Sequence, residues 1–175
     1  MVEQLLNWHL RKHPHYTLDN QANSLSYQQL ALLSDKLLIP IENHLGAINV
    51  TYGFTSHSLL RYILKNSPGD MAPDIDQHAS MEINTRASRI CKRDGAACDI
   101  LVASYENRMD EVAKYITQSL PFDRLYFYGK NKPIHISIGP ENARYALIRH
   151  TRSDGLRVNK KSAIGSATAT LFDDL

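Results

Sequence analysis

The chain has 175 residues, of which 43% are hydrophobic and 22% charged, and its formal net charge is +2. That length supports one domain with a real core, and the proportions are ordinary for a globular protein. A charge so close to neutral does not by itself call for a nucleic-acid or membrane partner, and no stretch approaches the roughly 18–20 apolar residues of a membrane span.

The opening MVEQLLNWHLRKHPHY carries Glu3 and no long apolar run, so no export signal is expected and the cytoplasm is the expected compartment. Leu5, Leu6, Trp8 and Leu10 predict a short amphipathic helix from Val2 to His13, ended by Pro14. The histidines at 9, 13 and 15 read as surface residues. Residues 14–25 are polar and predict a loop. Ser26 reads as an N-cap before a helix with Leu30, Leu33, Leu37 and Leu38 on one face; Pro40 predicts a kink or break, and Gly46 a C-terminal cap. AINVTY at 47–52 predicts a strand ended by Gly53. Ser56 reads as the cap of a helix through HSLLRYILKN, followed by a loop at 66–77.

Residues 78–94 give no clear periodicity, with a short helix and an irregular approach to Gly95 as the expectation. AACDILVA reads as a central strand and Met109 to Leu120 as a helix with Val112, Ala113, Ile116 and Leu120 on one side. DRLYFYG and PIHISIG, separated by KNK, predict a β-hairpin with Gly129 in the turn. From Pro140 onward the pattern fades, and Arg144, Arg149, Arg152, Arg157, Lys160 and Lys161 suggest a basic appendage or flexible tail. Cys91 and Cys98 lack C-x-x-C spacing and are expected to be reduced thiols, Cys98 facing away from Asp99.

Asp99 lies inside an apolar strand and His135 is flanked by isoleucines. A lone carboxylate buried there costs several kcal/mol unless something compensates it, and a metal ion would. With His78 these residues form a set suited to zinc: nitrogen and oxygen ligands, with a fourth position open. A strand histidine or buried aspartate is more often a satisfied structural residue than a ligand, so spacing alone does not decide the matter.

The order of motifs does more. A helix leading through Gly46 to the strand AINVTY and the turn YGFTS is followed by DQH at 76–78, GAACD at 95–99 and FDRLYFYGKNKPIHIS at 122–137. This succession, over roughly residues 25–140, resembles the D-Ala-D-Ala carboxypeptidase and hedgehog-type zinc metallopeptidases. The resemblance implies an α+β fold, a small antiparallel sheet flanked by helices, with residues 1–24 as an N-terminal helix and loop and 141–175 as a basic C-terminal extension. It implies zinc held by His78, Asp99 and His135, and hydrolysis of an amide bond in a peptidoglycan stem peptide or another short peptide by activated water.

The chain departs from that pattern in three places. The position seven residues before Asp99, where the family has its first histidine, is Lys92, so an insertion between His78 and Gly95 is required. Thr55 stands where the family has an arginine for the substrate carboxylate, with Arg61, Arg86 and Arg93 as substitutes. Lys132 stands where many members have a catalytic acid, leaving Asp123, Glu82 and Tyr128 as candidates for the proton-transfer role. Structural readings compete for two of these: Asp123 as a partner for Arg124 or backbone, Glu82 as a solvated surface carboxylate. Ser137 shares the strand face of His135. The alternative expectation is the same zinc fold used inside the cell on a different, nucleic-acid-related substrate, which the basic C-terminal stretch would suit.

Overall fold

A computed structural model describes residues 1–67 and 76–175 of the chain. Most of the expected 66–77 loop therefore lies outside the described residues.

The N-terminal segment forms two short helices, α1 (Val2–Asn7) and α2 (His9–Lys12). Its inner side is aromatic as well as aliphatic. Trp8 and Tyr62 meet the His13 ring edge-on, and Tyr16 meets His9 and Tyr62 in the same way. His9 and His13 are thus buried, not the surface residues the sequence suggested, because their rings complete this aromatic cluster.

The next helical stretch runs through α3 (Ser24–Leu33), a π-helical turn at Ser34–Leu38 and α4 (Ile39–Leu45). Its N-cap is Asn23, whose side chain accepts from the Ser26 backbone N–H at 2.8 Å, so the expected cap at Ser26 is corrected by three residues. Pro40 produces no break. The π-turn, closed by a bond from the Ile39 N–H to the Ser34 carbonyl, shifts the hydrogen-bond ladder just ahead of the residue that cannot donate. Gly46, at φ +100°, ends α4 as expected.

Strand β1 (Ile48–Tyr52) is followed by α5 (His57–Asn66), which Ser56 caps through the Leu59 N–H. Then come β2 (Ala96–Val102), α6 (Met109–Ser119), β3 (Arg124–Phe127), β4 (Ile134–Ile138), β5 (Tyr145–Thr151) and β6 (Arg157–Ile164). They form one six-stranded sheet in the order β1-β2-β4-β3-β5-β6. The class is α+β, but the sheet is mixed, because β3 and β5 pair in parallel.

The segment after residue 140 is no loose appendage. β5 pairs with β3 inside the sheet, β6 forms its edge, and Leu171 and Phe172 return to the core. β6 escaped the sequence reading because RVNKKSAI is exposed at almost every position, as lysine-rich edge strands often are.

One face of the sheet is closed. Cys98, Ile100, Val102, Leu125, Phe127, Ile134, Ile136, Ala146 and Ile148 alternate onto it and are buried, under α3 and α6. Among the described residues no helix is long and apolar enough to cross a membrane.

Candidate metal centre

The opposite face carries the polar groups. Strand register lays Tyr52, Asp99, His135, Tyr126 and Leu147 in one row across β1, β2, β4, β3 and β5. Tyr52 joins the row because the β1–β2 register shifts between Val50 and Tyr52. Val50 still opposes Ile100 of the closed face, and the irregularity turns Tyr52 to the other side.

His78 comes from a loop, and several contacts fix it under this row. Its backbone N–H donates to the Asp76 carboxylate at 3.1 Å, and its carbonyl accepts from Thr55 N–H at 3.0 Å. Its ring lies edge-on to Tyr52 and to His135, with centroids 4.6 and 5.0 Å away. Gln77 precedes it in the left-handed region at φ +70°, a conformation non-glycine residues rarely adopt, held by bonds from its amide to Asp123 (3.0 Å) and to the Asp94 carbonyl (3.3 Å).

The excursion between His78 and β2 begins and ends at one place. Ser80 Oγ donates to the Gly95 carbonyl at 2.7 Å, and Arg89 ties the Ser80 carbonyl to Asp94. A closed excursion of this kind lets residue 78 stand beside residue 99, as the expected insertion requires.

Three ligand-capable atoms thereby converge. Asp99 Oδ1 is 3.3 Å from His78 Nε2 and 2.9 Å from His135 Nδ1, and all three residues can offer donors within 4.8 Å of one another. Zinc with bonds of roughly 2.0–2.2 Å needs donor atoms separated by about this much. His78 Nδ1 faces the Gly53 carbonyl at 3.1 Å, so the proton of the neutral ring belongs on Nδ1 and the Nε2 lone pair faces Asp99. Beside that buried Nε2 stands the Asp99 carboxylate, and the buried His135 Nε2 has no hydrogen-bond partner. The donor set fits a metal ion. His78 is fully buried and His135 nearly so, while the Asp99 side chain is 22% exposed and marks where the site opens.

Electrostatics follow from this packing. Burial disfavours a charged His78 ring, but the Asp76 and Asp99 carboxylates outweigh it and raise the pKa to about 9. Burial likewise disfavours the Asp99 anion, and the two histidines overcome it, holding the carboxyl well below its usual range. Burial and the Asp99 charge push the Tyr128 phenol up, against the pull of Arg157 and Arg149, so it keeps its proton at neutral pH.

The remaining candidates separate. Tyr128 lies just past β3, within electrostatic reach of Asp99. Asp123 is buried, accepts from Gln77 and from Ala143 N–H, and borders a cleft of about 620 Å³ that none of the three ligand residues lines. It positions the loop that carries His78. Glu82 accepts from Asn23 N–H and Ser26 Oγ and secures the start of α3; it is not the solvated carboxylate expected. Ser137 is buried on the face of His135, its hydroxyl without a partner. Cys91 and Cys98 form no disulfide, and Cys98 faces the closed side.

Sequence reasoning missed Asp76 and Tyr126. Asp76 stands two residues before His78, and Tyr126 stacks on His135 at 4.9 Å with ring planes 13° apart. The D-x-H spacing and the i, i+2 relation of Tyr126 to Tyr128 were the available signals.

No protein-family model, no curated protein and no solved structure matches this chain.

Proposed function

We propose that this chain is a zinc-dependent hydrolase, a divergent relative of the D-Ala-D-Ala carboxypeptidase and hedgehog-type metallopeptidases, which cleaves an amide bond in a short peptide. The observation that carries the reading is the convergence of His78, Asp99 and His135, with His78 Nε2 buried and turned towards the Asp99 carboxylate 3.3 Å away. Two imidazoles and one carboxylate, with room for a fourth ligand, suit zinc better than the all-oxygen cations.

Zinc bound there would lower the pKa of a water molecule towards ~7 and polarise the substrate carbonyl. The chain's own residues divide the remaining work. The Gly53 carbonyl and Tyr52 set the tautomer and tilt of His78, while stacking of Tyr126 fixes the plane of His135. Tyr128, protonated at neutral pH, serves as a hydrogen-bond donor to the developing oxyanion and not as a base. Asp76, buried beside the site where it accepts from the His78 N–H, is the carboxylate assigned to take the proton.

The test is zinc stoichiometry by elemental analysis, together with release of D-alanine from a D-Ala-D-Ala-terminated peptide. The intact chain should bind one zinc and turn over, and His135→Ala should lose both. Asp76→Asn should keep zinc and lose turnover by about 10²-fold or more. Absence of stoichiometric zinc would end the reading, and zinc without cleavage of any amide substrate would remove the hydrolase half of it.

A further inference from the structure

β5 and β6 add more than width to the sheet, because they put cations on the metal-bearing face. Arg149 follows Ile148 on β5, where the β5–β6 register shifts, and its Nε is buried without a hydrogen-bond partner. Arg157, at the start of β6, lies 4.8 Å over the Tyr128 ring. Arg93, from the closed excursion before β2, is half-buried with an equally unpartnered Nε. Its charge reaches the Tyr126 hydroxyl, as those of Arg149 and Arg157 reach the Tyr128 hydroxyl.

Arg124, on the same face, has an equally unpartnered buried Nε and differs only in its carboxylates. Glu141 neutralises it at 3.0 Å, and Asp123 stands 3.8 Å from its Nε. Among the described residues Arg93, Arg149 and Arg157 have no such carboxylate. Desolvating a guanidinium with nothing opposite it is costly, which applies to half-buried Arg93 and Arg149, while exposed Arg157 packs over the Tyr128 ring. One carboxylate would balance only one of these arginines. A phosphate, with its multiple charge and several acceptor oxygens, matches planar guanidinium forks flanked by phenol donors.

We propose that Arg93, Arg149 and Arg157, with the Tyr126 and Tyr128 hydroxyls, form a phosphate subsite beside the metal centre, and that the substrate is an amide whose molecule also carries phosphate. As a substrate class this rests on the hydrolase reading above; as an anion site it stands without it. Two of its three arginines come from the strands that follow residue 140, so the C-terminal hairpin contributes to substrate selection.

The experiment titrates inorganic pyrophosphate, with acetate as the control anion, into metal-free and zinc-loaded protein at low salt by calorimetry. Metal-free protein should bind pyrophosphate saturably at one site and acetate far more weakly. Affinity should fall about tenfold or more in Arg149→Gln and in Arg157→Gln, and stay unchanged in Lys65→Gln on α5. Arg157 is exposed, so its variant should fold even if loss of half-buried Arg149 perturbs the sheet. Pyrophosphate bound only when zinc is present, bound no better than acetate, or bound by both arginine variants as tightly as by the intact chain would overturn the proposal. Zinc uptake with no pyrophosphate binding overturns this inference alone. Arginine-dependent binding in a protein that takes up no zinc supports the anion site and removes the hydrolase reading instead.

Discussion

The two faces of the sheet follow the same two-residue alternation and reach opposite states. On the closed face Ile100, Ile136, Leu125 and Phe127 bury carbon against carbon, and packing satisfies everything there. On the other side His135, Arg149 and Ser137 each bury a polar atom with no hydrogen-bond partner. Buried polar atoms are nearly always paired in folded proteins. The unpaired ones beside the His78–Asp99–His135 group surround residues that could hold a metal ion. The closed face stabilises the fold, and the open face draws on that stability.

The largest effect should come from damaging the closed face. Ile136→Ala removes a fully buried side chain next to His135 in sequence but opposite in direction. It should cost about 2–5 kcal/mol in denaturant unfolding, while zinc stoichiometry at low temperature stays the same. Equal loss of metal and stability in this variant would mean that the two faces are not separable.

Next in size is a pH effect confined to the open face. The folded pKa of His78, about 9, lies above the ~6.5 of an unfolded histidine. Its protonated form therefore contributes stability that is complete below about pH 6.5 and is lost as pH rises through 9; the contribution is up to roughly 3 kcal/mol. Asp99 behaves in the opposite sense. Its depressed pKa contributes stability present above the ordinary carboxylate range and lost as pH falls through and below it. Metal-free protein should thus lose melting temperature between pH 6.5 and 9. Zinc needs the neutral ring, so zinc affinity should rise over the same interval. A flat metal-free profile would contradict the pairing of His78 with Asp99.

The smallest effect separates structure from chemistry at Glu82. Glu82→Ala frees the Asn23 N–H and Ser26 Oγ at the start of α3 and should cost about 1 kcal/mol. Zinc binding and turnover should be unchanged. A fall in turnover with stability intact would return Glu82 to the list of catalytic groups.

The closed face was the legible part of the molecule. AACDILVA, PIHISIG and the α6 stretch carry their burial in their alternation or helical spacing, and each forms the element expected. β6 was not legible, because an edge strand exposed on both sides has no apolar period to read. Asp99 and His135 stood out as polar residues in apolar strands. His78 had no comparable local signal. Its place depends on the Ser80–Gly95 closure and on Gln77 in a left-handed turn, which are tertiary facts, and only the likeness of motif order pointed to it. Arg149 looked like one more cation in a basic stretch until β5 placed it inside the sheet.

Gly53 joins the start of the chain to the centre of the site. Its carbonyl holds the His78 Nδ1 proton, and a side chain at this position would meet the Leu5 carbonyl at 2.4 Å and the Trp8 ring at 2.8 Å. The next residue, Phe54, donates to that same Leu5 carbonyl, while its own carbonyl accepts from Trp8 Nε1 and from Asn20. The N-terminal helices thus work as a clamp on the peptide that sets which nitrogen of His78 faces the metal. For anyone handling the protein the lesson is practical. A cleavage site, a trimmed terminus or a bulky fusion that loosens residues 5–8 would reach the candidate metal centre through two hydrogen bonds, and should read out as weaker metal binding in a chain whose His78, Asp99 and His135 are all intact.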